Sequence, residues 1–314
     1  MMRLSAATFA VFFVLVSLTG CGPVKEGDQI LADAIQASNT LQTYYNDLAQ
    51  ISLDGWENQA VFNALLTVPA PSDQQYNERL EALRTRADAA SKLSLTFQSL
   101  KTFRDPKGLT SASAAGQSLG ESLKGISKIP GASKLPEDEF GKAAAGLLDI
   151  QRQQDLKRAL LAMTQVEQGF LNMFEAEQRA YLSIVSDRAD TGEHLVELLA
   201  QNKMLNPGSF LAGLRLGVAV TPATSDPAAA AGLAIAKISA QRQKLEWECA
   251  TENTRSMLSA LAAAGAAIQS GAAPNLIPLE DSTAHATACL TEHEKLVAPP
   301  ASGNSNANKQ PNDK

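Results

Sequence analysis

Apolar positions recur at alternating steps of three and four along most of this 314-residue chain, a spacing that gathers them on one side of a helix. Leu31, Ala34, Ser38, Leu41, Tyr45 and Leu48 are the first such stripe and predict a helix over 28–51. Asp54-Gly55 and Val68-Pro69-Ala70-Pro71 break the pattern around a short helical piece over 56–66. Ser72 offers a cap for a helix over 73–104 with the stripe Tyr76, Leu80, Leu83, Ala87, Ala90, Phe97 and Leu100, stopped by Asp105-Pro106. The longest stripe passes through Leu156, Leu160, Met163, Phe170, Phe174, Tyr181 and Ile184 and predicts a helix over 137–204. Gly192 is a place where that helix could be interrupted, and Asn206-Pro207-Gly208 ends it. Helices over 228–269 and 280–296 complete the set. No segment alternates strictly between apolar and polar, so sheet is not expected. The pattern predicts an all-α protein, an elongated antiparallel helical bundle with coiled-coil-like seams, occupying 28–297.

Two stretches depart from it. Residues 107–136 are rich in Gly, Ser and Ala, carry Pro130 and Pro136, and read as a connector with transient helix. Lys107, Lys124, Lys128 and Lys134 there face only Glu121, while Leu119, Leu123 and Ile126 share one helical face. Two readings stand: a mobile connector, or a docking segment (Leu119, Leu123, Lys124, Ile126, Lys128) that orders on an anionic surface or an acidic partner. The tail over 298–314 is almost free of apolar residues and is expected to be disordered.

The chain opens differently. Met1-Met2-Arg3 is followed by an apolar run from Leu4 to Leu18 and then by Leu18-Thr19-Gly20-Cys21. A run of about 15 residues is short of the roughly 20 that a bilayer needs, and its small-residue end fits a removable export signal. This resembles the signal peptide and lipobox of bacterial lipoproteins, and the helical remainder resembles other helical envelope lipoproteins. The resemblance implies that residues 1–20 are removed and that Cys21 is acylated and becomes the N-terminus. Residues 21–27 are then a short tether reaching roughly 20 Å when extended. It also implies a periplasm-facing protein in the cell envelope. Gly22 stands where an aspartate tends to mark inner-membrane retention, which favours the outer membrane.

Charge narrows the partners. Of 27 Lys and Arg only Arg3 falls in the signal, so the mature chain keeps 26 against 33 Asp and Glu, a balance of −7. That excess of acid argues against nucleic acid. The lipid bilayer, through Cys21, and another envelope protein or component are the expected partners. With Cys21 committed to lipid, Cys249 and Cys289 remain, and an even pair in an exported protein reads as a disulfide.

Candidate chemistry is sparse. His285, Cys289 and His293 stand at i, i+4 and i+8, and His285 and His293 are candidate metal ligands. An oxidised Cys289 would withdraw the thiolate from that set. Glu167, Glu175, Glu177, Glu246, Glu248 and Glu252 read as solvated helix faces, because a di-metal bundle needs Glu-x-x-His pairs and none occurs at that spacing. Tyr44, Tyr45, Trp56, Phe97, Phe170 and Phe174 read as core. No Gly-x-Ser-x-Gly, His-Glu-x-x-His or Walker-type glycine loop is present. No cofactor and no catalytic residue is expected. The sequence points to a non-enzymatic, membrane-anchored interaction or structural protein. The alternative is a periplasmic lipoprotein that binds a small ligand or a metal.

Overall fold

The computed structural model describes residues 22–101, 106–126, 129–130, 156–202, 218 and 226–297. Six helices stand among them: α1 Gly22–Leu65, α2 Asp73–Lys101, α3 Pro106–Lys124, α4 Leu156–Gln201, α5 Asp226–Ser270 and α6 Ile277–Val297. No strand occurs among the described residues. The anchor cysteine, the signal over 1–20, the tail over 298–314, Lys128 and residues 137–155 lie outside them.

Buried positions follow a seven-residue repeat. On α1 they are Ala34, Ala37, Leu41, Tyr44, Leu48 and Ile51, and on α5 Ala236, Ala240, Gln243, Trp247, Ala250, Thr254, Met257, Leu261 and Ala264. A period of 3.5 keeps each stripe turned toward its neighbour along the whole helix, as in a coiled coil. Side-chain pairs give the directions. Asp54 meets Arg188 and Gln59 meets Thr191, so α1 and α4 run parallel. Gln29 meets Glu280 and Thr40 meets Thr287, so α6 runs parallel to both. Arg79 lies near Asp187 while Arg86 meets Glu177, and Lys237 meets Glu193 while Arg255 meets Glu175, so α2 and α5 run the opposite way. α1 touches α2, α4, α5 and α6 and is the centre of the bundle.

Four expectations are corrected. Asp54-Gly55 does not break a helix: α1 is continuous to Leu65. A Cβ on Gly55 would stand 3.3 Å from Arg188 Cβ, so the glycine lets α4 come close. The α1–α2 turn comes later, where Thr67 takes a φ of 55° and Val68 N bonds Asn63 O at 2.8 Å. The expected tether is also helical, since the backbone enters α1 at Gly22. Gly192 lies inside α4, which is unbroken from Leu156 to Gln201.

The fourth correction concerns the connector. Much of it is α3, packed on α2. Leu119 and Leu123 are buried in the main core and Ile126 packs against it. The lysine of the neighbouring helix, Lys92, holds Ser122 at 2.6 Å. The apolar face that suggested docking is covered by the chain's own α2, and Lys124 lies on the exposed side. Tertiary burial offsets the weak helix propensity of the glycines.

Candidate functional site

The middle of the bundle holds an aromatic cluster. Tyr44 and Tyr45 on α1 touch edge-on, ring centroids 5.6 Å apart, and both meet Phe174 and Tyr181 of α4. Tyr44 stacks on Trp247 of α5 with ring centroids 4.9 Å apart, and its hydroxyl shares a hydrogen bond with Thr251 at 3.0 Å. Tyr45 meets Tyr181 of α4 edge-on at 5.9 Å. Burial raises the ionisation of Tyr44, Tyr45 and Tyr181 well above the ordinary range, so all three stay neutral hydrogen-bonding groups.

Beside this cluster Glu177 of α4 is fully buried and fully paired. Arg86 of α2 donates to it through Nε at 2.9 Å and Nη2 at 2.6 Å. The Tyr181 hydroxyl donates to the same carboxylate at 2.5 Å. The Ile129 amide reaches it at 3.5 Å, and Arg86 Nη1 donates to Ala82 O at 2.7 Å. A second buried pair, Arg188 with Asp54 at 3.1 Å, ties α4 to α1 about three turns further along. The sequence reading of Glu177 as a solvated face is thus corrected. Its spacing carried the signal: Phe170, Phe174, Glu177, Tyr181, Ile184 and Arg188 form one uninterrupted stripe, with charges at core positions.

Glu167 is corrected too, in a different sense. It is buried, and its Oε2 has no hydrogen-bond partner among the described residues. It lies over Gly265 of α5, where a Cβ would come within 2.5 Å of that oxygen. Burial pushes its carboxyl well above the ordinary range, so it is held as the neutral acid. Glu175, Glu246, Glu248 and Glu252 are not among the buried charged groups.

α6 closes the far side. Cys249 and Cys289 are disulfide-bonded, 40 residues apart in sequence. Gly271, with a φ of 77°, and the bond from Ala272 N to Ala267 O at 2.9 Å end α5. α6 starts three residues earlier than its pattern suggested, so a short return over 271–276 brings the cysteines together. His285 is exposed and shares a bond with Asp281 O at 2.6 Å. His293 is buried against Trp247, centroids 5.0 Å apart. Burial, and then Arg188, push His293 down to about 4. Eight residues rotate a helix by about 80° beyond two full turns, which separates the two imidazoles. The proposed His285/Cys289/His293 ligand face is therefore not assembled, and no group of three potential ligands stands together among the described residues. Across the α1–α6 seam, burial and Glu294 push Asp47 up to about 7.

One open cleft of about 340 Å³ is cut into the bundle between the 52–59 turns of α1, the start of α2 and the 184–194 turns of α4. Trp56 and Tyr76 form its wall, stacked 5.0 Å apart and 22° from parallel. Trp56 is therefore only in part a core residue. Polar residues complete the lining, among them Ser52, Gln75, Arg79, Asp187, Asp190 and Arg188. Asp187 is raised from the ordinary range by burial, with Arg79 opposing. Asp190 pairs with Lys244 at 2.6 Å. The cleft was not legible in the sequence, because its residues come from three helices and none stands in a motif.

The fold and this interior define an all-helical bundle organised on buried ion pairs, with one disulfide and a polar cleft with an aromatic wall. No protein-family model, curated protein or solved structure matches the chain.

Proposed function

We propose that this chain is a membrane-anchored lipoprotein of the bacterial envelope that serves a non-enzymatic, structural or interaction role. The observation that carries the reading is where α1 begins. The lipobox cysteine is residue 21, and the central helix of the bundle starts at Gly22. An acyl group on Cys21 would be fixed to a helix of 44 residues, about 66 Å long at 1.5 Å per residue. Two or three acyl chains hold stably in a bilayer, and no flexible tether would lie between them and the folded body. Such an anchor sets the standing of the whole bundle on the membrane, as suits a spacer or a platform for another envelope component. Among the described residues no helix is long and apolar enough to cross a membrane, so attachment falls to the lipid. The outer membrane is favoured by Gly22, and the absence of catalytic motifs supports a non-enzymatic role.

Cys21→Ser tests the anchor. Wild type is expected to carry diacylglyceryl mass on an N-terminal Cys21 and to enter the detergent phase; the variant loses both. A mature wild-type protein without acyl mass on Cys21 refutes the reading. Crosslinking in intact cells, compared between wild type and Cys21→Ser, tests the partner: envelope components should be captured only by the anchored form.

A further inference from the structure

Helix α6 is seated on α1 and α5 by little besides one covalent bond. Apart from Cys289, its buried positions are Leu279, Thr283, Ala286, Leu290 and His293, so two leucines and an alanine supply the apolar burial. Thr283 Oγ1 and both ring nitrogens of His293 are buried without a hydrogen-bond partner among the described residues. Each such group lost its water without a replacement, which weakens the seam. Like charges also meet on the α1 side, where Asp33 lies near Glu280 and Asp47 near Glu294. Two ties oppose them: Gln29 with Glu280 at 3.3 Å, which is exposed, and Thr40 with Thr287 at 3.1 Å, which is part-buried. The seams inside the bundle are of another kind, with Tyr44 stacked on Trp247 and Arg86 paired with Glu177.

The connection permits movement. α6 follows the largely exposed return over 271–276, where Gly271 holds a φ of 77°, and no described helix comes after it. It can therefore swing away without unthreading another described element. The bridge itself lies at the rim of the α5–α6 seam. Cys289 is buried, but Cys249 is only partly so, and half-buried Asn253 donates toward the two sulfurs at 3.6 and 3.9 Å.

We propose that α6 is a redox-held strap: reduction of Cys249–Cys289 by a dithiol releases it from α1 and α5 while the rest of the bundle stays folded. A thiolate of the reductant attacks one sulfur, forms a mixed disulfide and expels the other cysteine as a thiolate. The second thiol of the reductant then closes its own disulfide and frees the first cysteine. Two electrons pass from the dithiol to the bridge, and its two protons end on Cys249 and Cys289. Release uncovers the side of Trp247 that His293 covers. An oxidised dithiol runs the same exchange in reverse and fastens α6 again. The inference goes beyond the anchored-lipoprotein reading and does not need it, since nothing in the strap depends on Cys21.

The folded full chain in detergent is held with and without dithiothreitol, and hydrogen exchange is followed helix by helix by mass spectrometry. Thiol labelling in denaturant counts the reduced cysteines. Both cysteines are expected to become reactive. Exchange in α6 should quicken by about tenfold or more, while α2 and α4 stay within about twofold of the oxidised protein. Reoxidation should restore the slow exchange of α6. Cys249→Ala/Cys289→Ala should show the fast α6 without reductant and with α2 and α4 still protected. The proposal is overturned by a bridge that the native protein keeps in dithiothreitol, or by a reduced protein whose α6 exchanges no faster. It is equally overturned if all helices lose protection together, which would make the bridge a fastener of the whole bundle. Cys21→Ser is expected to lose its acyl mass and to release α6 as wild type does, so the anchor and the strap fail separately.

Discussion

Glu167 and Glu177 are ten residues apart on one helix, both are buried, and they are opposite cases. Glu177 accepts from Arg86 twice, from Tyr181 and from the Ile129 amide. Glu167 Oε2 accepts from nothing among the described residues and lies in the α4–α5 seam where Gly265 leaves room. Removing a carboxylate from water costs several kcal/mol, and a protein can meet that cost either with donors and a countercharge or with a proton. Helix α4 does each once. The comparison teaches that burial alone does not say whether an acid is charged; the groups brought up by other helices decide it.

Removing one side of the paired site should have the largest effect. Glu177→Ala leaves Arg86 buried without its countercharge and is expected to cost about 3–5 kcal/mol in urea unfolding. The double variant Arg86→Met/Glu177→Leu should recover most of that loss, because it removes both charges together. If the double variant is as unstable as the single one, the pair is not the reason.

His293 adds a third case, a base kept neutral by burial and by a nearby arginine. Its folded value of about 4 lies below its ordinary value near 6.5. The unfolded chain therefore binds the proton first as pH falls. Stability from this group is full above about 6.5 and is lost as pH drops from there through 4, by about 3 kcal/mol at most. Thermal melts should show that loss in wild type, and His293→Phe should flatten it.

The smallest effect belongs to the unpaired acid. Glu167 is raised, so the folded state keeps a proton that the unfolded chain releases above the ordinary carboxylate range. Its contribution is present at low pH and is lost as pH rises. Glu167→Gln should therefore match wild type at pH 4 and gain about 1–2 kcal/mol at pH 8. Equal melting of the two proteins at pH 8 would show that Glu167 finds partners in solution.

Much of the fold was legible because seams repeat. The buried stripes of α1, α2, α4, α5 and α6 fall where apolar residues recur at three and four, and the disulfide followed from counting cysteines. What failed was local grammar read without tertiary context. Asp54-Gly55 has the composition of a break, yet Asp54 is there to hold Arg188 and Gly55 to admit it. The glycine-rich stretch that reads as a linker is a helix because Leu119 and Leu123 find α2. Arg86 and Glu177 are 91 residues apart, so no window of sequence pairs them; only their place on apolar stripes betrayed them.

The parallel run of α1 and α4 from a shared end has a mechanical meaning. A pull applied at Gly22 acts along the axis of α1, which is flanked by α2, α4, α5 and α6. Such a load slides α1 lengthwise past its neighbours and stresses the contacts from Gln29–Glu280 at one end to Gln59–Thr191 at the other all at once. A pull across the bundle would instead peel them apart one turn at a time. An N-terminal attachment would therefore load this helix order in shear and not in peeling.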